Sequence, residues 1–234
     1  MTGVQTCALP ISLAISLREA GQHPKARELT EQTLALYAKE FDTETPDALA
    51  CKINLAADQA ATGNAVAAAQ TTAETLVAYE ARLGVEHPYS HVCRNNMAVY
   101  LLRAGRVQDA EDTIRHAHTG FVSRFVKDHP YVLSAAVNLA NCLVTRGEFA
   151  EAARLDQETY EGFVNRLGEI HPDTMATGLN LSLDLDAVGQ SARARSMREQ
   201  LLPALAAKLG DDHPTVVTAR RRERTDRELE PQPT

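Results

Sequence analysis

The chain contains no tryptophan, and aromatic residues make up only 5% of its 234 residues. A core with so few large rings must depend on aliphatic and small side chains, which favours closely packed helices. No apolar run approaches the roughly 18 to 20 residues that a transmembrane helix requires. The N-terminus also lacks the basic and apolar stretches of a secretory signal. We therefore expect no membrane association and a cytoplasmic location.

Basic residues are fewer than acidic residues. The chain has 24 Lys and Arg residues against 31 Asp and Glu, a formal net charge of -7. This balance argues against a general nucleic-acid-binding protein. The four cysteines, Cys7, Cys51, Cys93 and Cys142, form no C-x-x-C pair. In a chain of this length they indicate buried, inactive thiols of an intracellular protein, not a disulfide scaffold or a metal site.

The dominant positive feature is a period of 42 residues, shared by several residue types. The columns are Pro46, Pro88, Pro130, Pro172 and Pro214; Gly21, Gly63, Gly105, Gly147 and Gly189; and Asn54, Asn96, Asn138 and Asn180. Independent columns with one common period identify a repeat protein.

Each repeat is predicted to form two helices. In the unit that starts at Pro130, the proline suits the first helical turn, and His129 precedes it as the cap. Gly147 ends this helix, as glycine does at a left-handed terminus. A second helix follows from about Phe149 to Leu167. The sequence thus predicts an all-α solenoid in which antiparallel helix hairpins pack on their neighbours.

A Leu-Ala pair before each turn and an alanine in the second helix recur with the same period. They are Leu55-Ala56 with Ala68, Met97-Ala98 with Ala110, Leu139-Ala140 with Ala152, and Leu181-Ser182 with Ala194. With linkers such as "LGEIHPDT", this pattern resembles the tetratricopeptide repeat in the 42-residue form of kinesin light chains. The resemblance implies a right-handed superhelix. A weaker similarity to the C-terminal repeats of actinobacterial NB-ARC regulators implies a nucleotide-binding domain upstream, since this chain has no phosphate loop.

The period also predicts the domain organisation. It comprises a truncated first repeat at 12–45, full repeats at 46–87, 88–129, 130–171 and 172–213, a charged capping helix at 214–230 and a tail at 231–234.

The first eleven residues do not fit the period. Pro10 falls inside a first helix, where proline costs about 3 kcal/mol or more. The string "MTGVQTCALPI" resembles the in-frame translation of a sequencing-library adapter. We therefore interpret residues 1–11 as a non-native leader joined to a truncated gene. The alternative is a genuine, divergent cap.

The resemblance implies that the first helices line a concave groove, in which the asparagine before each Leu-Ala pair contacts the ligand. The candidate residues are therefore Asn54, Asn96, Asn138 and Asn180. On the same helix faces lie Asn141, three residues after Asn138, and Arg103, seven after Asn96. A carboxamide offers both donors and an acceptor to a peptide backbone, and arginine can bind a carboxylate. Alternatively, the asparagines only bridge neighbouring helices and Arg103 is a solvated charge.

No nucleophile–base set, paired carboxylates or metal-ligand spacing stands out, so neither an enzyme nor a cofactor is expected. The recurring histidines His87, His129, His171 and His213 lie one repeat apart and are interpreted as caps. Arg220 to Arg224 could form a basic arm for nucleic acid, but the interleaved acidic residues weaken that interpretation. The sequence thus predicts a scaffold that binds a peptide or protein partner, as the sensor or docking arm of a larger regulator. The alternative is a structural array that self-associates.

Overall fold

The computed structural model describes residues 5–40 and 44–230, with side chains for 10–18, 20–39 and 44–230. The regular secondary structure of these residues is entirely helical. The helices are α1 Gln5–Glu19, α2 His23–Glu40, α3 Pro46–Ala61, α4 Ala65–Leu83, α5 Pro88–Arg103, α6 Val107–Arg124, α7 Pro130–Thr145, α8 Phe149–Leu167, α9 Pro172–Ala187, α10 Ser191–Leu209 and α11 Pro214–Arg220.

The chain divides into two compact units. Unit 1 comprises Met1–Ala117 with Glu228–Thr234, and unit 2 comprises His118–Arg227. In unit 1, α1 packs on α2, α2 on α3, α3 on α4 and α4 on α5. In unit 2, α7 packs on α8, α8 on α9, α9 on α10 and α10 on α11. Each unit is thus a sequential stack of helices, and the predicted all-α solenoid is confirmed.

The predicted cap histidines are confirmed. The Nδ1 atoms of His87, His129, His171 and His213 each accept a hydrogen bond from the backbone N–H two residues later, at 3.1–3.2 Å. In the first full repeat Thr45 takes the same place and accepts from Ala48 N at 3.3 Å. Each acceptor satisfies a backbone donor that has no partner inside the helix, and the following proline lacks such a donor.

Small side chains allow the helices of a pair to approach closely. Ala140 in α7 and Ala152 in α8 are both fully buried, as are Ala98 in α5 and Ala110 in α6 to within 1%. Larger side chains also pack within a pair, and in unit 2 Phe163 of α8 packs with Leu133 and Val137 of α7.

The periodic glycines end the first helices in the left-handed conformation. At Gly147, with φ of 84°, the N–H of Gly147 bonds to Val144 O and that of Glu148 bonds to Leu143 O, both at 2.9 Å. These two bonds form the Schellman cap that pairs the last carbonyls of a helix.

The last helix is shorter than predicted. It ends at Arg220, and residues 223–230 are not helical, so the capping helix predicted over 214–230 was wrong beyond that point. Arg222 adopts φ of 59°, and Glu223 N bonds to Thr218 O at 3.1 Å in the same cap geometry. The sequence did not reveal this end because an arginine, not a glycine, takes the left-handed position.

At the other end, α1 runs through Pro10 without interruption and begins at Gln5. The predicted boundary between residues 11 and 12 is therefore not a helix boundary. Residues 1–4 of the proposed leader, 41–43 of the first repeat and the tail 231–234 lie outside the described residues, as does the side chain of Cys7. The adapter interpretation remains a prediction.

Candidate functional site

In unit 2 the asparagines of the repeat column face the chain that follows α11. Asn138 and Asn180 lie at the middle of the first helices α7 and α9, with exposed fractions of 2% and 1%. They are covered by residues 221–227, which we call the unit 2 segment. The site is thus a helical surface on which a non-helical stretch of backbone lies.

Each of these two asparagines exchanges a pair of hydrogen bonds with one residue of the unit 2 segment. Asn180 Nδ2 donates to Thr225 O at 2.8 Å, and its Oδ1 accepts from Thr225 N at 2.9 Å. Asn138 Nδ2 donates to Arg227 O at 2.8 Å, and its Oδ1 accepts from Arg227 N at 2.9 Å. The two paired residues, Thr225 and Arg227, are two positions apart, which is the repeat of an extended chain.

A third carboxamide, that of Asn141, contacts both the backbone of the segment and the side chain of Arg224. Asn141 Nδ2 donates to Thr225 O at 3.0 Å, and Asn141 Oδ1 accepts from Arg224 Nε at 2.6 Å. The two terminal nitrogens of the Arg224 guanidinium donate to Asp184 of α9 and Asp156 of α8. Asp156 and Asp184 are buried to 0% and 1% exposure, so they form a closed acidic pocket around one cation.

The electrostatics of this pocket reflect its burial. Burial raises the pKa of Asp156 above its usual range, and the charge of Asp184 raises it further, whereas the Arg224 guanidinium opposes the shift. Burial by itself would lower the pKa of Arg224, but the charges of both carboxylates outweigh it and raise that pKa. The arginine therefore stays charged, and its presence favours the ionised form of Asp156.

The second arginine of the segment, Arg227, lies at the N-terminal end of α9. Arg227 Nη1 donates to Asp173 Oδ1 at 2.6 Å, and its Nη2 donates to Asp173 O at 2.9 Å. Its guanidinium carbon also lies 5.9 Å from the centroid of the Phe163 ring, within the range of a cation–π contact. The unit 2 segment thus contributes two arginines, three positions apart, which contact three aspartates: Asp156, Asp184 and Asp173.

Unit 1 shows the same backbone pairing with its own residues 228–230. Asn96 Nδ2 donates to Leu229 O at 2.7 Å, and its Oδ1 accepts from Leu229 N at 2.8 Å. Tyr100 Oη donates to Glu228 Oε2 at 2.9 Å, and Arg103 Nη1 lies 3.1 Å from Glu228 Oε1. Arg103 therefore contacts a carboxylate, which is the partner that its chemistry predicts.

Asn54, the fourth asparagine of the column, has a different environment. Its Oδ1 accepts from Arg18 Nη2 at 3.2 Å, and its Nδ2 donates to Ala50 O at 3.2 Å within its own helix. Arg18 also pairs with the buried Asp58 at 2.9 Å and with Glu230 at 3.2 Å. Asn54 thus bridges its own helix α3 and the neighbouring helix α1, as the structural alternative predicts.

A family model for the tetratricopeptide repeat matches residues 92–163, a range that contains the 42-residue step from Asn96 to Asn138. Residues 92–163 therefore carry tetratricopeptide repeats. Such repeats typically mediate protein–protein interactions, and scaffolds of this family are generally non-enzymatic. No curated protein matches the sequence significantly.

Solved structures share the fold. A kinesin light chain protein from Podosopora anserina, with nearly identical tetratricopeptide-like repeats, is 25% identical with a TM-score of 0.68 over 89% of this chain and 99% of that one. BtubC of P. vanneervenii is 21% identical, with a TM-score of 0.68 over 96% and 86%. The apo form of RapI is 10% identical, with a TM-score of 0.70 over 95% and 85%. Among the described helices, none is both long and apolar enough to cross a bilayer.

Sequence reasoning did not find Asp156 and Asp184, which contact Arg224 in unit 2, or Tyr100, which contacts Glu228 in unit 1. Asp184 and Tyr100 lie four residues after the column asparagines, whereas the predicted stripe took the positions three and seven residues after them. The signal for Asp156 was a charged residue at a position that holds Thr30, Thr72 and Ile114 in the three preceding repeats. A buried aspartate at such a position requires a cation, but the sequence does not show which one.

Proposed function

We propose that unit 2 binds an extended segment of a partner protein on the face of α7 and α9 that carries Asn138 and Asn180. The observation that supports this function is the reciprocal pairing of each carboxamide with the backbone of one residue in the unit 2 segment. Such pairing reads the main chain, which every peptide has, so it supplies affinity without demanding a sequence.

The pairing also supports one direction for the bound chain. Asn180, in the later repeat, pairs with Thr225, and Asn138, in the earlier repeat, pairs with Arg227. A partner segment bound in the same way would run opposite to the order of the repeats in unit 2. One repeat step corresponds to two residues of the segment, which span roughly 6.6 Å when extended.

In this proposal the unit 2 segment already occupies the binding site and competes with the partner for it. A partner must displace it, so the apparent affinity is lower than the intrinsic affinity by the fraction of molecules in which the site is open. This arrangement suits a sensing or docking arm, in which binding is coupled to a change elsewhere. We further propose that the arm serves a larger regulator with an upstream nucleotide-binding domain, as the resemblance to the NB-ARC regulators suggests.

The binding test uses the full chain and a fluorescein-labelled peptide with the sequence of residues 221–230, RRERTDRELE. Thr225→Pro in the protein removes the N–H that donates to Asn180 Oδ1, so we expect this substitution to open the site. Peptide binding, measured by fluorescence anisotropy, should become at least several-fold stronger. Adding Asn138→Ala and Asn180→Ala to this variant should abolish the gain. Asn165→Ala, at an exposed position of α8, is the matched control and should change nothing.

Peptide binding that is unaffected by the two asparagine substitutions, in a protein that keeps its helical circular dichroism, would contradict the proposal. The self-associating array is the competing function. Light scattering of the wild-type chain over a range of concentrations tests it, because a segment exchanged between copies gives a mass that rises with concentration.

A further inference from the structure

The carboxylates of Asp156 and Asp184, with the carboxamide of Asn141, form a pocket whose occupant is a guanidinium. Three different helices supply these groups, α8, α9 and α7. Each nitrogen of the Arg224 guanidinium contacts a different one of them: Nε contacts Asn141, and the two terminal nitrogens contact the two aspartates. The contacts surround the edge of one planar cation.

This arrangement discriminates between cations. The three N–H donors of lysine diverge from a single nitrogen, so they do not match three acceptors that are spread around the edge of a planar group. A neutral side chain would leave two buried aspartates without a counter-charge, which costs more than the loss of an ordinary hydrogen bond. The geometry therefore requires both the shape and the charge of arginine.

Unit 1 supplies an internal comparison at the equivalent repeat position. Asp58 stands three repeat steps before Asp184 and is also fully buried. Its oxygens accept from Arg18 of α1 at 2.9 Å and from Thr30 of α2 at 2.7 Å, so the helix pairs themselves satisfy it. In unit 2 the position of Thr30 is taken by a second acid, Asp156, and the cation comes from the segment after the last helix.

We propose that the pocket of Asp156, Asp184 and Asn141 is an arginine-specific subsite, so that unit 2 selects extended partner segments that contain Arg-x-x-Arg. The inference rests on the proposed function and names its ligand class. The first arginine enters the pocket one residue before the backbone pairs with Asn180. The second reaches Asp173 and Phe163, as Arg227 does, at the residue that pairs with Asn138. The chain's own Arg224 and Arg227 fill both places until a partner displaces them.

The experiment compares probe peptides on the full-length Thr225→Pro protein. The reference probe is fluorescein-RRERTDRELE, and two further probes carry citrulline or lysine at the position of Arg224. Citrulline keeps the shape of arginine but lacks its charge. We expect each replacement to weaken binding by about tenfold or more, since a charge-assisted hydrogen bond is worth about 1.5–3 kcal/mol. A fourth probe with lysine at the exposed position of Arg221 is the matched control and should bind like the reference.

A protein-side variant completes the test. Asp156→Asn with Asp184→Asn should remove the preference for arginine over citrulline while binding still depends on Asn138 and Asn180. If this variant fails to fold, the peptide comparison alone decides. Equal binding by the arginine, citrulline and lysine probes overturns the subsite and leaves the proposed function intact. If none of the probes binds the opened protein, the proposed function fails, and the subsite fails with it.

Discussion

The side chain of Asn138 and the backbone of Arg227 exchange two hydrogen bonds, of 2.8 and 2.9 Å. Two neighbouring antiparallel strands exchange the same pair of bonds between residues that oppose each other. A carboxamide on a helix thus takes the place of a strand edge, and the fold can hold an extended chain without containing a sheet. The stability of the bound segment should therefore depend on these carboxamides.

Asn180→Asp should loosen the unit 2 segment. Aspartate has nearly the shape of asparagine but cannot donate to Thr225 O, and its carboxylate would face that carbonyl oxygen. We expect faster cleavage by trypsin after Arg224 and Arg227, measured by mass spectrometry under native conditions. The same substitution at the exposed Asn165 should leave the cleavage rate unchanged. Equal protection in both variants would show that the carboxamide does not hold the segment.

Arginine binding in unit 2 should tighten as pH rises. Arg224 lowers the pKa of Asp156, which burial and Asp184 raise, so the pocket without arginine has a still higher pKa. Binding an arginine then releases a proton, and low pH opposes it. Titration calorimetry of the Thr225→Pro protein with RRERTDRELE in buffers of different ionisation enthalpy measures that proton. Proton uptake, or affinity that falls with rising pH, would contradict the assignment.

Acid should destabilise unit 1 through His91. Burial lowers the pKa of this histidine to about 4, with the nearby charge of Arg94 acting in the same direction and Glu86 opposing it. His116, whose ring centroid lies 5.8 Å away, also lowers it. Because the unfolded pKa is near 6.5, this contribution to stability is present above that pH and is lost as pH falls toward about 4.

Thermal unfolding at pH 8 and pH 5 measures this effect. The melting temperature of the wild-type chain should fall with pH, and the fall should be smaller in His91→Gln, which cannot titrate. An unchanged pH dependence in that variant would place the effect in other groups.

The buried alanine Ala152 should not tolerate a larger side chain. It is fully buried in α8, which packs on both α7 and α9, so Ala152→Leu should cost about 1–3 kcal/mol of unfolding free energy through overpacking. Ala153→Leu, at the partly exposed neighbouring position, is the matched control and should be nearly neutral. Urea unfolding followed by circular dichroism compares the two. A similar stability for both variants would argue against close packing at the repeat alanine.

The turn at Gly147 should depend on its left-handed backbone. With φ of 84°, Gly147→Ala should cost about 1–2 kcal/mol, although no neighbouring atom would meet the added Cβ. Gly147→Asn should cost less, because asparagine adopts this conformation more readily than alanine. Chemical denaturation of both variants checks this order. An equal loss in both would indicate that the space around the turn, and not its backbone, sets the cost.

The sequence by itself determined the helices and their order. Proline at the first turn, glycine at the left-handed end and alanine at the helix contact act within a few residues, so their 42-residue period fixed the bounds of α7 and α8. It also identified Asn96, Asn138 and Asn180 as one column, since residues that recur with the period share a helix face. The cap histidines were predictable for the same local reason.

Only the tertiary structure decided what these groups contact. The left-handed turn at Arg222 has no glycine to announce it, so the pattern extended α11 to residue 230. Asp156, Asp184 and Arg224 are far apart in sequence, and their association depends on two helices and a non-helical segment meeting at one point. Backbone preferences act between neighbouring residues, so they can be predicted from the sequence. The cation that neutralises a buried carboxylate depends on which helices and segments pack together, and no local pattern predicts it.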